Sequence, residues 1–92
     1  MPFKYNGRLY DIQDAYGKQR GGFVDLPFLN VIKNYIPEGS VVIDCGGNIG
    51  NHSIFFASEC DAAEVHTFEP MEVNYSTIER NCLKNDIYIN IA

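Results

Sequence analysis

The sequence predicts an α/β chain built on three parallel strands, and three observations carry that expectation. The 92 residues are 46% hydrophobic and include six Phe and six Tyr, the composition of a chain that packs. Two apolar runs rich in β-branched residues, "SVVID" and "AEVHTFE", are each followed by a segment of helical character. Pro37 and Gly39 end a helical segment just ahead of the first run. Such alternation is what a parallel sheet with crossover helices requires. A chain of this length forms one small domain at most, burying roughly 60 to 65 per cent of its unfolded surface.

The elements follow in order. Residues 1–22 carry weak signals: "RLYDIQ" reads as a strand and "YGKQRGG" as a turn, so the expectation is an N-terminal appendage with a hairpin, ahead of a partial domain over 23–92. Asp25 is a candidate N-cap and Pro27 fits the first turn of a helix. Phe28, Val31, Ile32, Tyr35 and Ile36 then fall at i, i+3, i+4, i+7 and i+8 as its expected buried stripe. "SVVID" is too continuous for a sheet with one wet face and is expected to be a central parallel strand. "NHSIFFASEC" reads as a short helix covering it, and "AEVHTFE" as the second strand. Met71, Tyr75, Ile78 and Cys82 mark a third helix, with Lys84 in its last turn and Asn85 as its cap. "DIYINIA" supplies a third strand. The order implies βαβαβ, the first half of a doubly wound sheet truncated after its third strand.

Composition narrows the function. Seven Lys and Arg against twelve Asp and Glu give a net charge of −5 with no basic run, which removes the counterion-release drive for binding nucleic acid. No signal peptide and no run of eighteen apolar residues is found, so no membrane partner is expected. Cys45, Cys60 and Cys82 are odd in number and lack metal spacing. They are expected to be buried thiols in a reducing compartment, the cytoplasm, and no metal site is expected.

The chemistry lies in "VVIDCGGNIGNH", Val41 to His52. A phosphate-cradling G-x-x-x-x-G-K-[ST] loop is excluded, because no Lys follows any of its glycines. The dinucleotide pattern G-x-G-x-x-G fails from either start: from Gly46 the later glycines fall on Asn48 and Asn51, and from Gly47 on Ile49 and His52. The pattern acid-x-G-x-[GN]-x-G of S-adenosylmethionine loops is met by Asp44, Gly46, Asn48 and Gly50. That ligand has no pyrophosphate, so the loop must let backbone approach an amino-acid tail and a ribose. Residues without Cβ or tolerant of positive φ suit this task. The acid can receive the ligand's ammonium, directly or through water, or hold the loop's amides. A ribose diol also needs an acidic acceptor at the end of the next strand, about 20 residues on. Glu69 ends "AEVHTFE", 19 residues after Gly50.

"VVIDCGGNIGNHSIFFA" followed by "VHTFEP" closely resembles the FkbM-type family of S-adenosylmethionine-dependent methyltransferases, over Val24 to Ala92. The family shows Asp-x-Gly-Ala-Asn-x-Gly after its first strand and Phe-Glu-Pro after its second, then a helix rich in Asn and Leu. Gly47 replaces the usual alanine, a departure expected to loosen the loop without removing a contact. The resemblance implies a Rossmann-like methyltransferase sheet and a cofactor site of Asp44, Gly46, Gly47, Asn48, Gly50 and Glu69, with the last on the ribose. It also implies methylation of oxygen on sugars or natural products, hence a small-molecule or carbohydrate acceptor. No catalytic base stands out, and the fragment alone is expected to be inactive.

Plainer readings stand beside these. Asp44 could cap a loop, Glu69 could be a solvated strand end, and Tyr75 and Met71 could be core. His52 could face the cofactor or cap or pack its helix, and His66 is read as a satisfied core or edge residue. A non-catalytic adenosylmethionine-binding or partner-interaction module is the alternative function. Without a fourth strand, the "VVID" edge is expected to associate with another copy or chain.

Overall fold

The computed structural model describes residues 2–92. It is a mixed α/β structure around a three-stranded parallel sheet, compatible with a partial Rossmann-like fold. An antiparallel hairpin comes first, β1 (Phe3–Tyr5) and β2 (Arg8–Tyr10), turning through Asn6 and Gly7, both at positive φ. Helix α1 (Leu26–Ile32) runs into a 3-10 turn over Lys33–Tyr35. Then follow β3 (Val41–Cys45), α2 (Asn51–Ser58), β4 (Glu64–Phe68), α3 (Glu72–Lys84) and the short β5 (Asn90–Ile91). The sheet order is β3-β4-β5, with Asp44 beside Thr67 and Thr67 beside Ile91.

The core lies where the hairpin and α2 meet. Phe23 packs edge-on against Phe55 at 5.2 Å and Tyr10 at 4.8 Å, centroid to centroid. Tyr10 and Ile12 are fully buried, so the first 22 residues supply core side chains. The Tyr10 hydroxyl donates to the Glu59 carboxylate, and burial together with that carboxylate pushes its pKa up to about 12.

Four expectations are corrected. Leu29 is the fully buried residue of α1, with Leu26, Ile32 and Ile36 packed partly against the core, whereas Phe28, Val31 and Tyr35 are exposed. "LPFLNVI" is apolar around most of its circumference, so periodicity alone does not choose the buried face. Asp25 makes no side-chain cap and stands at φ 60°; its carboxylate turns to His52 instead. Strand β3 is an edge strand with one open face, Val41 being 59% and Ile43 65% exposed, not a central strand. Cys60 and Cys82 are buried, but Cys45, on that open face, is exposed. No helix among the described residues is long and apolar enough to cross a membrane.

Three buried asparagines fasten the irregular segment between β2 and α1. Asn51 of α2 accepts from the Val24 amide and donates to the Val24 carbonyl, both at 2.9 Å. Asn85, at the C-cap of α3, does the same with Asp11 at 2.8 Å. Asn81 accepts from the Gln13 amide and donates to the carbonyls of Gln13 and Ile49, at 3.0, 2.8 and 2.8 Å. Each amide side chain stands in for a neighbouring strand, satisfying backbone groups that no ladder reaches. Asn81→Ala strands three partly buried backbone groups, so chemical denaturation of this variant should show a loss of about 1–3 kcal/mol.

Candidate functional site

The loop after β3 has the backbone that its residue types suggested. Gly46, Asn48 and Gly50 stand at φ 80°, 54° and 91°, the left-handed region that glycine and asparagine tolerate. Its first amides turn back on the neighbouring strand: Gly46 N–H donates to the Phe68 carbonyl at 2.7 Å. Asn48 N–H donates to Glu69 Oε1 at 2.7 Å, and Met71 N–H to Glu69 Oε2 at 3.0 Å. Glu69 is thus a buried carboxylate joining the glycine loop to the start of α3. Those amides, Met71 first, then Asn48, hold its pKa below the usual value of 4.5 against the opposing effect of desolvation, with a smaller contribution from Asn74. A carboxylate has about four acceptor positions, so two backbone donors, with the Asn74 amide nearby, still leave acceptor capacity.

Asp44 lies beneath the loop. Its Oδ2 accepts from Ser53 Oγ at 2.6 Å, and Ser53 Oγ is 2.5 Å from Thr67 Oγ1, a chain that ties β3, α2 and β4 together. Ser53 therefore anchors the acid rather than capping α2, a role that only the strand pairing reveals. Oδ1 of Asp44 has no hydrogen-bond partner among the described residues.

Gly47 differs from expectation. A Cβ there would meet Thr67 Cγ2 at 2.2 Å and Ile78 Cδ1 at 3.0 Å. The residue is where the loop packs hardest onto β4 and α3, so glycine tightens the loop here instead of loosening it.

A cavity of about 380 Å³ opens beside the loop, within the size range of small-molecule sites. Gly46, Gly47, Asn48, Asn51 and His52 form one wall; Asp14, Arg20, Val24 and Asp25, from the segment that the asparagines hold, form the other. Asp44, Gly50 and Glu69 are not among the residues that line it; Glu69 bonds to the loop at Asn48, and Asp44 bonds to Ser53 of α2. His52 lies on the wall with Nε2 3.4 Å from Asp25 Oδ2, and its ring sits between Phe28 and Phe56, so it packs and pairs rather than caps. His66 is half-exposed beside Glu64 on the open face, remote from the cavity residues. Sequence reasoning missed the second wall, because a segment without periodicity offers no signal of where it will lie.

The chemistry suits S-adenosylmethionine. The loop presents backbone without Cβ, one acid has a spare oxygen, and a second has spare acceptor positions at the adjoining strand end.

Two known proteins align with part of the chain. The chain is 33% identical over 51 residues, 55% of its length, to a protein named Methyltransferase sdnD from Sordaria araneosa. It is 33% identical over 45 residues, 49% of its length, to one named Methyltransferase 1 from Beauveria bassiana. Its distant relatives are methyltransferases. The aligned stretches are 20% and 18% of those proteins, so the chain spans about a fifth of the length of the curated relatives it matches. No protein-family model matches the chain.

Two outcomes follow from this geometry. Gly47→Ala should cost about 1–3 kcal/mol by overpacking, and adding Thr67→Ser, which removes the clashing methyl, should recover most of it in denaturant titrations. Glu69 has a native pKa below its unfolded value, so the unfolded chain binds the extra proton as pH falls. Its contribution is whole above about 4.5 and is lost as the pH drops through the native value. Unfolding midpoints measured from pH 6 to pH 2.5 should therefore fall less steeply in Glu69→Gln than in the parent chain.

Proposed function

We propose that these residues form the cofactor-binding half of an S-adenosylmethionine-dependent methyltransferase of the FkbM type, one that methylates hydroxyl oxygen on a sugar or natural product. The observation that carries this reading is the Glu69 carboxylate bonded to the amide of Asn48, in a loop whose Gly46, Asn48 and Gly50 all stand at positive φ. An acid at one strand end is thereby joined to the glycine loop of the strand beside it, as an adenosine ribose spanning both strand ends would need. The similarity to proteins named methyltransferases supports the same class.

On this reading Gly46, Gly47 and Asn48 admit the amino-acid tail, and the spare oxygen of Asp44 receives its ammonium, directly or through water. Glu69 accepts the ribose hydroxyls with its remaining lone pairs, while Gly50 lets the chain turn into α2. When bound, the cofactor supplies an electrophilic methyl group on a sulfonium. The protein's part is alignment: the loop and the two acids hold the ligand still, which is most of what an in-line displacement demands. On this reading the three parallel strands belong to the first half of a doubly wound sheet, and the outer edge of β3 accepts a further strand.

Calorimetric titration with S-adenosylhomocysteine tests this. The parent chain should bind it saturably. Asp44→Ala and Glu69→Ala, each shown by circular dichroism to keep its helices, should bind at least tenfold more weakly, and NAD should not compete. A folded parent chain that gives no binding heat, or that NAD displaces from its ligand, would sink the assignment.

A further inference from the structure

The cavity has a second wall that the glycine motif does not account for, and one side chain on it lacks a partner. Arg20 lines the cavity and makes no side-chain hydrogen bond or ion pair among the described residues. The acids beside it are differently placed. Oδ1 of Asp14 accepts the amides of Tyr16 and Lys18, both at 2.9 Å, and Asp25 faces His52. Arg20 is the one Lys or Arg on the cavity surface, and on a chain of net charge −5 that position is conspicuous.

Its position is built rather than incidental. The Arg20 backbone N–H donates to the Ile12 carbonyl at 2.7 Å, closing a loop whose other strand is held by Asn81 at Gln13 and Asn85 at Asp11. Arg80 donates to the Asp14 carbonyl at 2.5 Å, and Asn51 fixes Val24 on the far side. Four side chains of α2 and α3 thus hold an otherwise irregular segment against the glycine loop. The core needs Tyr10, Ile12 and Phe23 from this region, but it does not need a cation at the cavity.

We propose that Arg20 binds the carboxylate of the cofactor's amino-acid tail, so that the segment before α1 is the closing wall of the cofactor site. The assignment rests on the cofactor reading above. The tail is a zwitterion, and Arg20, lining the same cavity as Gly46, Gly47 and Asn48, offers its carboxylate a guanidinium with paired N–H donors. Arg20 touches neither the methyl group nor the acceptor, so it is a binding and positioning residue.

Two probes separate this assignment from the reading beneath it. S-Adenosylhomocysteine carries the tail; 5′-methylthioadenosine has the same adenosine and thioether without it. In calorimetric titrations the parent chain should bind the first more tightly than the second. Arg20→Gln should weaken S-adenosylhomocysteine about tenfold to a hundredfold and leave 5′-methylthioadenosine unchanged, with Arg20→Lys between. Because the Arg20 side chain makes no hydrogen bond or ion pair among the described residues, its variants should unfold close to the parent's midpoint, which the same samples can verify. Unaltered binding of both probes by Arg20→Gln would overturn the role of Arg20 and leave the cofactor site standing. Equal weakening of both probes would also overturn it, because the side chain would then support the site as a whole. Binding of neither probe by the folded parent chain would overturn both.

Discussion

Two amides converge on one carboxylate, and the site depends on that junction. Glu69 takes the Asn48 amide on one oxygen and the Met71 amide on the other, binding the glycine loop, the end of β4 and the entry to α3 into a single corner. Both donors sit where chain geometry leaves them without a ladder or helical partner: Asn48 in a left-handed turn, Met71 just before the first turn of α3. A neutral acceptor would satisfy them less strongly, since a charge-assisted bond is roughly twice as strong as a neutral one. On the proposed reading the same charge receives the ribose hydroxyls.

The rest of the site is arranged around that corner by polar groups buried in the helices. Asn81 reaches both the Ile49 carbonyl, in the glycine loop, and the Gln13 backbone, in the opposite wall, so one amide side chain sets the relation of the two walls. Ser53 links Asp44 to Thr67 across two strands, and the Thr67 methyl leaves no room for a Cβ at Gly47. A network of this kind is costly to leave partly satisfied, and that cost favours a single arrangement. Polar side chains of α2 and α3 thus hold an irregular segment in register.

What the sequence revealed of this arrangement divides along a physical line. Positive φ at Gly46, Asn48 and Gly50 was legible because it is a property of residue types, and the place of Glu69 followed from spacing along two strands. The parallel strands were legible from β-branched runs between helical segments, though β5 came out as two residues in place of the longer stretch expected. The buried face of α1 was not legible, because apolar residues surround it and only the partner surface selects Leu29 over Phe28. Nor was the meaning of Gly47, since the clash with Thr67 is a contact between residues twenty apart in sequence, set by strand register. The wall carrying Arg20 was hidden for a related reason: asparagine side chains bind it through its backbone, and backbone atoms leave no mark on residue identity.

The sheet has an open face, formed by Val41, Ile43 and Cys45 of β3 with Phe68 of β4, and β3, which leads into the glycine loop, is one of its two outer strands. A parallel sheet ordinarily has both faces covered. The measurement that tests the account most directly is amide mapping by ¹H–¹⁵N correlation spectra of the chain during titration with S-adenosylhomocysteine. The account predicts that the largest shifts fall on the amides of Gly46 to Gly50 and of Met71, with a second set between Asp14 and Val24. Shifts confined to other surfaces, or spectra unchanged at saturating ligand in a folded chain, would contradict it.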